Sequence, residues 1–69
     1  MAIKLILDSA LKKRNVSRYR LSKLTEISYD VIDKYYKNKV VRYDSYILNK
    51  ICTCLDCDIS DLILFEKDN

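Results

Sequence analysis

Residues 17–38, with the sequence SRYRLSKLTEISYDVIDKYYKN, decide the fold because they contain two short amphipathic segments separated by a break of three residues. Ser17 and Ser28 stand directly before these segments, and serine in that place accepts a hydrogen bond from a free backbone N–H of the first helical turn. The segments are therefore predicted to be helices, over residues 18–25 and 29–37. Two short helices joined by so short a turn are typical of a helix-turn-helix motif.

Apolar residues recur in both segments with the period of a helix. The first segment places Leu21 and Leu24 on one face, and the inward residues of the second are predicted to be Val31 or Ile32 together with Tyr35. Leu24 and Ile27 bracket the turn between them. Ser22 is small and follows the apolar anchor of the first helix, where two crossing helices approach each other closely. The outer positions of the second helix are polar or amphipathic, as a helix that enters the major groove requires. They are Tyr29, Asp30, Asp33, Lys34 and Lys37.

The residues before the motif predict a further helix and an element of less certain type. Asp8 is the expected N-cap of a helix over residues 9–14, and Asn15 tolerates the left-handed conformation that ends such a helix. Residues 3–7 are β-branched or leucine except for Lys4, and the stretch is short, so it suits either a short strand or the first turn of a helix. If they form a strand, its natural partner is the apolar tail at 62–66, within the chain or across a dimer.

The C-terminal part of the chain predicts two more helices. Asp44 or Ser45 is expected to cap a helix over residues 45–55, whose apolar side chains again follow a helical period. Ser60 is the expected N-cap of a short helix over residues 61–64. Together with the motif, these segments predict a compact all-α domain of four to five helices, with short terminal β-strands as an option.

Composition narrows the function before any motif is considered. The chain has 69 residues, which suits one domain over residues 1–69, and it contains no glycine, proline or histidine. Without glycine, the P-loop and dinucleotide-binding phosphate cradles are excluded. Without histidine, Ser-His-Asp and Cys-His catalysis are excluded. Paired carboxylates remain, but capping explains Asp56, Asp58 and Asp61 more simply. We therefore expect neither an enzyme nor a cofactor.

The location follows from the hydropathy pattern. No apolar run approaches the roughly 18 residues that a membrane-spanning helix needs. The first residues carry neither the apolar core nor the cleavage site of a secretory signal. The sequence therefore predicts a cytoplasmic protein without a membrane partner.

Charge divides the chain into two unequal parts. Residues 1–42 hold 11 Lys and Arg against 4 Asp and Glu, a balance of +7. Residues 43–69 hold 2 against 6, a balance of −4, and the sum is the net charge of +3. A split of this kind indicates one surface that faces a polyanion and another that faces solvent or a protein partner.

The cysteines stand at positions 52, 54 and 57. A zinc site would need a fourth ligand, and the chain has no histidine to supply it. A redox sensor would need a stabilised thiolate, which the neighbouring Asp56 and Asp58 oppose. The simpler interpretation places Cys52 and Cys57 in the core and leaves Cys54 more exposed. We therefore expect no metal and, in a reducing cytosol, no disulfide.

Two stretches resemble a known family. The run RLSKLTEISYDVIDKYYKNK, residues 20–39, resembles the core of the phage-repressor/Cro type of helix-turn-helix, also called the xenobiotic-response-element type. That core reads leucine, small residue, apolar residue, turn, Ile/Val-Ser, then a recognition helix that ends in Asn-Gly-Lys. The run LNKICTCLDCDISDLI, residues 48–63, is similar to the family's fourth and fifth helices. The resemblance covers roughly residues 8–64 and implies a lambda-repressor-like DNA-binding domain, closest to the short single-domain members.

The chain departs from the family pattern at two glycines. Glu26 replaces the usual glycine of the turn, and a non-glycine residue in the left-handed region costs roughly 1 kcal/mol. Asn38 replaces the glycine after the recognition helix, where asparagine is the mildest substitute. The first departure is expected to affect the angle between the two helices more than the fold.

The resemblance implies that the second helix, at about 28–37, reads duplex DNA in the major groove. Its base-contacting residues are then Tyr29, Asp30 and Lys34, followed by Asp33 and Lys37. The phosphate contacts implied around the motif are Ser17, Arg18, Ser28, Asn38, Lys39 and Arg42. Asp30 suits a cytosine amino group, and Lys34 suits guanine N7 and O6.

The expected assembly is a homodimer on a pseudo-palindromic operator, as for a small transcriptional regulator or repressor. Its contact surface is expected on the fifth helix and the tail, where residues 62–65 are all apolar. The alternative is a protein-interaction module, such as an antitoxin or an anti-regulator, that uses the same fold. In that case the acidic half, residues 43–69, would contact the protein partner.

Overall fold

The computed structural model of the chain describes residues 2–67. Its elements, in chain order, are β1 (Ala2–Leu5), α1 (Leu7–Arg14), α2 (Arg18–Thr25), α3 (Tyr29–Tyr36), α4 (Ser45–Leu55), a single 3₁₀ turn (Ile59–Asp61) and β2 (Ile63–Glu66). The predicted helical architecture and the optional terminal strands are both confirmed. None of the helices within residues 2–67 has the length and apolar character needed to cross a membrane.

One apolar core lies between the four helices and the terminal strands. Its buried members are Leu5, Leu7, Ala10, Leu11, Leu21, Ile32, Tyr35, Ile51, Leu55 and Leu62. Leu21 and Ile32 are completely buried, as predicted for the inner positions of α2 and α3. Leu24 does not follow that prediction, because 49% of its surface is exposed. The contact between α2 and α3 is therefore centred on Leu21 and Ile32.

A residue in the left-handed region directly follows α1, α2 and α4, and another lies two residues beyond the end of α3. These residues are Asn15 (φ 55°), Glu26 (φ 60°), Asn38 (φ 58°) and Asp56 (φ 51°). Asparagine and aspartate tolerate this conformation because their short polar side chains bond locally. Glu26 has no such advantage, so the turn of the motif is the one helix end that holds an unfavourable residue. Even so, α2 and α3 form at the predicted positions on either side of it.

β1 and β2 pair in a two-stranded antiparallel sheet. Ala2 pairs with Glu66 and Leu5 with Ile63, so all four residues of each strand are matched. The predicted helix over residues 61–64 is therefore wrong. The chain turns instead within the 3₁₀ segment. Asp58 directly precedes this segment, and its N–H donates to Asp61 Oδ2 at 3.1 Å. Leu62 is then buried, and the chain leaves extended to pair with β1.

Two predicted caps are also corrected. α1 begins at Leu7, after Ile6, so Asp8 lies in the first turn and is not the N-cap. Its charge still suits that place, because the N-terminus of a helix carries a partial positive charge. Ser60 lies inside the 3₁₀ turn, and Asp58 takes the capping position. Of the two residues predicted as the N-cap of α4, Asp44 occupies that position. Its Oδ1 accepts from the N–H of Tyr46 at 2.9 Å.

Arg14, the last residue of α1, links α1 to the end of α4 and to the 3₁₀ turn. Its Nη1 donates to the carbonyl oxygen of Ala10 at 3.2 Å, and its Nε donates to that of Leu55 at 3.3 Å. Its Nη2 lies 3.8 Å from Asp61 Oδ2. The guanidinium therefore satisfies a carbonyl at the end of α4, which no longer has a partner within the helix.

Candidate nucleic-acid interface

The turn between α2 and α3 is held by hydroxyl groups. Ser22 Oγ donates to the carbonyl oxygen of Ile27 at 2.6 Å. Thr25 Oγ1 donates to the carbonyl oxygen of Leu21 at 2.8 Å and accepts from the N–H of Ile27 at 3.3 Å. Thr25 is buried, and the sequence reasoning missed it. Its place at the end of a predicted helix, directly before the turn, was the available signal.

The two serines at the helix starts differ. Ser17 accepts from the N–H of Arg20 at 3.0 Å, as predicted for an N-cap. Ser28 occupies the N-cap position of α3, but its side chain makes no capping hydrogen bond. Its hydroxyl is exposed beside the first turn of α3 and is open to another acceptor or donor.

α3 presents a polar outer face above a buried inner face. Ile32 and Tyr35 point into the core, and Tyr35 Oη accepts from the N–H of Asp44 at 3.0 Å. On the other side Tyr29, Asp30, Lys34 and Lys37 are exposed. We call these four residues, together with Asp33, the outer face of α3. The structure thus brings all five predicted base-contacting residues onto one side of one helix.

Asp33 differs from the other members of the outer face because its carboxylate is already bound. Its Oδ1 accepts from Arg18 Nη1 at 2.6 Å, and its Oδ2 lies 3.0 Å from Lys37 Nζ. The Asp33 side chain is 22% exposed. Hydrogen bonding from Lys37 is the largest effect and lowers the pKa of Asp33, burial opposes it, and hydrogen bonding from Arg18 lowers the pKa further. The carboxylate is therefore charged at neutral pH.

Arg18 is held from a second side by an aromatic ring. Its Cζ lies 4.4 Å from the centre of the Tyr36 ring. An arginine over an aromatic face is attracted electrostatically by the ring. The first residue of α2 is thus held against the last residue of α3. This contact lies at the end of the helix pair that is opposite the loop between α2 and α3.

The remaining predicted phosphate contacts lie beyond α3. Lys39 and Arg42 are exposed in the loop that leads to α4. Asn38 is turned toward β1, where its Oδ1 accepts from the N–H of Leu5 at 2.9 Å. Its amide oxygen is therefore part of the link between α3 and the terminal sheet. Sequence reasoning gave no sign of this link, because the two residues are 33 positions apart.

The comparison with protein families agrees with this geometry. A family model described as the Cro/C1-type HTH DNA-binding domain matches residues 7–68. The chain belongs to this family. The predicted resemblance is thereby confirmed, and so is the general assignment as a DNA-binding regulator. Comparisons with curated proteins and with solved structures gave no match.

A surface cleft of this Cro/C1-type domain lies between the end of α1 and the start of α2. It is lined by Leu11, Lys12, Asn15, Val16, Ser17, Arg18, Arg20 and Tyr36. Three of these side chains are cationic, and they lie near the N-terminus of α2, where free backbone N–H groups favour an anion.

The cysteines of this Cro/C1-type domain behave as core and surface residues. Cys52 and Cys57 are half-buried against the core, and Cys54 is exposed with its Sγ 3.4 Å from the carbonyl oxygen of Leu24. Burial, followed by the neighbouring Cys52, raises the pKa of Cys57 to about 11. Cys57 therefore stays a thiol at neutral pH. Within residues 2–67, no three His, Cys, Asp or Glu side chains are grouped to hold a metal.

Proposed function

We propose that this Cro/C1-type domain is a sequence-specific transcriptional regulator that binds double-stranded DNA with α3 in the major groove. The observation that carries the proposal is the outer face of α3, which is polar and exposed while Ile32 and Tyr35 anchor the opposite side in the core. A recognition helix needs this arrangement, because base edges are read by polar side chains on a rigid support. We place its action in the cytoplasm, and we assign it no enzymatic step.

The base contacts are assigned to the exposed members of the outer face. Lys34 lies in the last turn of α3 and donates to guanine N7 or O6. Asp30 lies in the first turn and accepts from a cytosine amino group. Tyr29, 41% exposed at the start of α3, contacts a thymine methyl group or a phosphate. Lys37 lies one turn after Lys34 and serves the edge of the site.

The phosphate contacts are assigned to the surroundings of α3. Ser17 and Ser28 mark the N-termini of α2 and α3, where free backbone N–H groups donate to phosphate oxygens. Lys39 and Arg42 extend the basic surface along the loop. Asn38 keeps its Oδ1 on Leu5, so its phosphate contact comes from the Nδ2 group.

The domain is proposed to act as a homodimer whose two α3 helices read half-sites about 34 Å apart. The support is an exposed apolar pair on the terminal sheet, where Ile3 and Phe65 face each other in register and are 58% and 51% exposed. Leu62 does not belong to this surface, because it is buried. The proposed dimer contact is therefore limited to the terminal sheet, around Ile3 and Phe65, and does not include the whole tail at residues 62–65.

The first experiment is selection from a randomised duplex pool, followed by anisotropy binding at several salt concentrations. We expect a two-fold symmetric motif and an affinity that falls steeply with salt. Lys34→Ala should relax the motif at one position and cost roughly 1–3 kcal/mol, and Arg18→Ala should flatten the salt slope by about one unit. Lys50→Ala, on α4, is the matched control and should change neither.

Two results would contradict this proposal. One is the absence of any enriched motif, with binding weaker than about 10⁻⁴ M at physiological salt. The other is an equal loss of affinity in Lys34→Ala and Lys50→Ala, because that would mark the effect as one of net charge.

The dimer is tested by sedimentation of the wild type and of Phe65→Ser. A wild type that stays monomeric with and without the selected duplex would exclude the dimer alone.

The charge division supports a second candidate, a protein-interaction module such as an antitoxin or an anti-regulator. Residues 43–69 carry a balance of −4, and within that half the side chains of Tyr46 and Ile59 are exposed. A basic protein partner suits such a surface. This candidate predicts weak nucleic-acid binding with little salt dependence, together with partner binding that is lost when the acidic residues are neutralised.

A further inference from the structure

The ion pairs of Asp33 place a negative charge between two cations that face the same side as the outer face of α3. Arg18 belongs to α2 and Lys37 follows α3, so the two cations come from different parts of the motif. Each binds a different oxygen of the same carboxylate, at 2.6 and 3.0 Å. A DNA phosphate offers the same chemistry, an anion with several acceptor oxygens. Asp33 therefore holds the place that a phosphate oxygen pair would take.

Exposure shows that these cations are within reach of an incoming polyanion. The side chains of Arg18 and Lys37 are 35% and 50% exposed, whereas that of Asp33 is 22% exposed. The Tyr36 ring supports Arg18 from another side. An incoming polyanion can therefore reach both cations, but both are already bound to the carboxylate of Asp33.

We propose that Asp33 is a positioning residue that stands in for phosphate: it orients Arg18 and Lys37 and competes with duplex phosphates for both. This inference rests on the proposed DNA binding, removes Asp33 from the set of base readers and moves Lys37 from the base contacts to the phosphate contacts. Its consequence is a selective reduction of non-specific affinity. A duplex must displace the carboxylate before it gains the two cations, and base contacts in a matched site offset that cost.

Asp30 gives the contrast on the same helix. It is exposed, and within residues 2–67 no cation lies within 4 Å of its carboxylate. Its oxygens are therefore free to accept from a base, whereas both oxygens of Asp33 are occupied. The two carboxylates have the same charge and lie three residues apart, but the structure gives them different tasks.

The test is the salt dependence of binding to a duplex of random sequence, measured for the wild type and for Asp33→Asn. Asparagine keeps the size of the side chain and removes the competing charge. We expect a slope of log K against log salt that is steeper by about one unit, and affinity about fivefold higher at 0.15 M salt. The motif selected from a randomised pool should stay the same.

Matched variants separate this effect from net charge and from misfolding. Asp56→Asn makes the same change of charge at the end of α4, where asparagine also tolerates the left-handed conformation, and should leave the slope unchanged. In an Arg18→Gln background, Asp33→Asn should steepen the slope less, because one of its two cations is gone. Circular dichroism shows that each variant is folded.

Three outcomes would overturn the inference. The first is an Asp33→Asn slope equal to that of the wild type. The second is an equal change in Asp56→Asn. The third is a motif that changes at one base pair in Asp33→Asn, because Asp33 would then read a base. If the wild type binds no duplex, the proposed function fails together with this inference. If it binds and only the Asp33 variants disagree, the proposed function stands.

Discussion

Two regions of the molecule are held together in different ways. In the helix-turn-helix unit, residues 18–36, the side-chain hydrogen bonds of the turn join residues no more than five positions apart, as for Ser22 and Ile27. The terminal seam consists of β1, β2, the 3₁₀ turn and Arg14. Several of its hydrogen bonds join distant residues, such as Arg14 and Leu55, which are 41 positions apart. The turn beside the candidate site is therefore held by contacts between sequence neighbours, whereas the terminal seam joins segments that are distant in the sequence.

The largest effect is expected in the core of the helix-turn-helix unit. Ile32→Ala removes a completely buried side chain from α3 and should lower the free energy of unfolding by about 2–5 kcal/mol, through lost burial and a residual cavity. Urea denaturation measures the change. Val31→Ala, at the neighbouring half-buried position, is the control and should cost clearly less. Equal losses in the two variants would mean that Ile32 is not the anchor of α3.

A smaller effect is expected at the terminal seam. Arg14→Met keeps the apolar stem but removes the hydrogen bonds to Ala10 and Leu55, which should cost about 1–2 kcal/mol. Lys13→Met makes the same exchange at an exposed neighbour and should be nearly neutral. Urea midpoints of both variants decide the matter. An unchanged midpoint in Arg14→Met would show that the seam contributes nothing through this side chain.

The turn of the motif should be improved by glycine. Glu26→Gly relieves a left-handed glutamate and should raise the free energy of unfolding by about 0.5–1 kcal/mol, because glycine adopts that conformation without a steric cost. Asn15→Gly is the matched control and should change stability by no more than a few tenths of a kcal/mol. Thermal unfolding followed by circular dichroism compares them. A destabilised Glu26→Gly would refute the account of this turn.

The smallest effect is expected from acid. Because the folded-state pKa of Asp33 is lowered, mainly by Lys37, its ion pairs contribute their full stability above the unfolded value of about 3.9. That contribution is lost as the pH falls through the lower folded-state pKa. Asp33→Asn should therefore show a weaker decrease of the urea midpoint between about pH 5 and pH 2. Parallel decreases in wild type and variant would contradict the assigned ion pairs.

The sequence predicted the helix-turn-helix unit well because its determinants are local. The bounds of α2 agree with the prediction at both ends, and those of α3 differ by one residue at its end. Period, N-cap serines and turn residues are all read from neighbouring positions. Leu24 is the exception, since its exposure depends on how α2 is rotated against α4.

The terminal seam was predicted less well because its determinants are distant. The segment at 61–64 has a helical composition, but pairing with β1 and the burial of Leu62 hold it in a different form. The bond from Leu5 to Asn38 and the ion pair of Asp33 with Arg18 likewise depend on tertiary contacts. The sequence placed the residues of the candidate site on one helix face, but it did not reveal which charges neutralise each other.

An NMR titration can show directly whether α3 faces the duplex. Backbone amide shifts of the ¹⁵N-labelled protein are followed while a duplex carrying the selected motif is added. If α3 faces the duplex, the largest changes fall in residues 17–20 and 28–42, with residues 44–62 nearly unaffected. Changes concentrated in the acidic half, with α3 unperturbed, would contradict it.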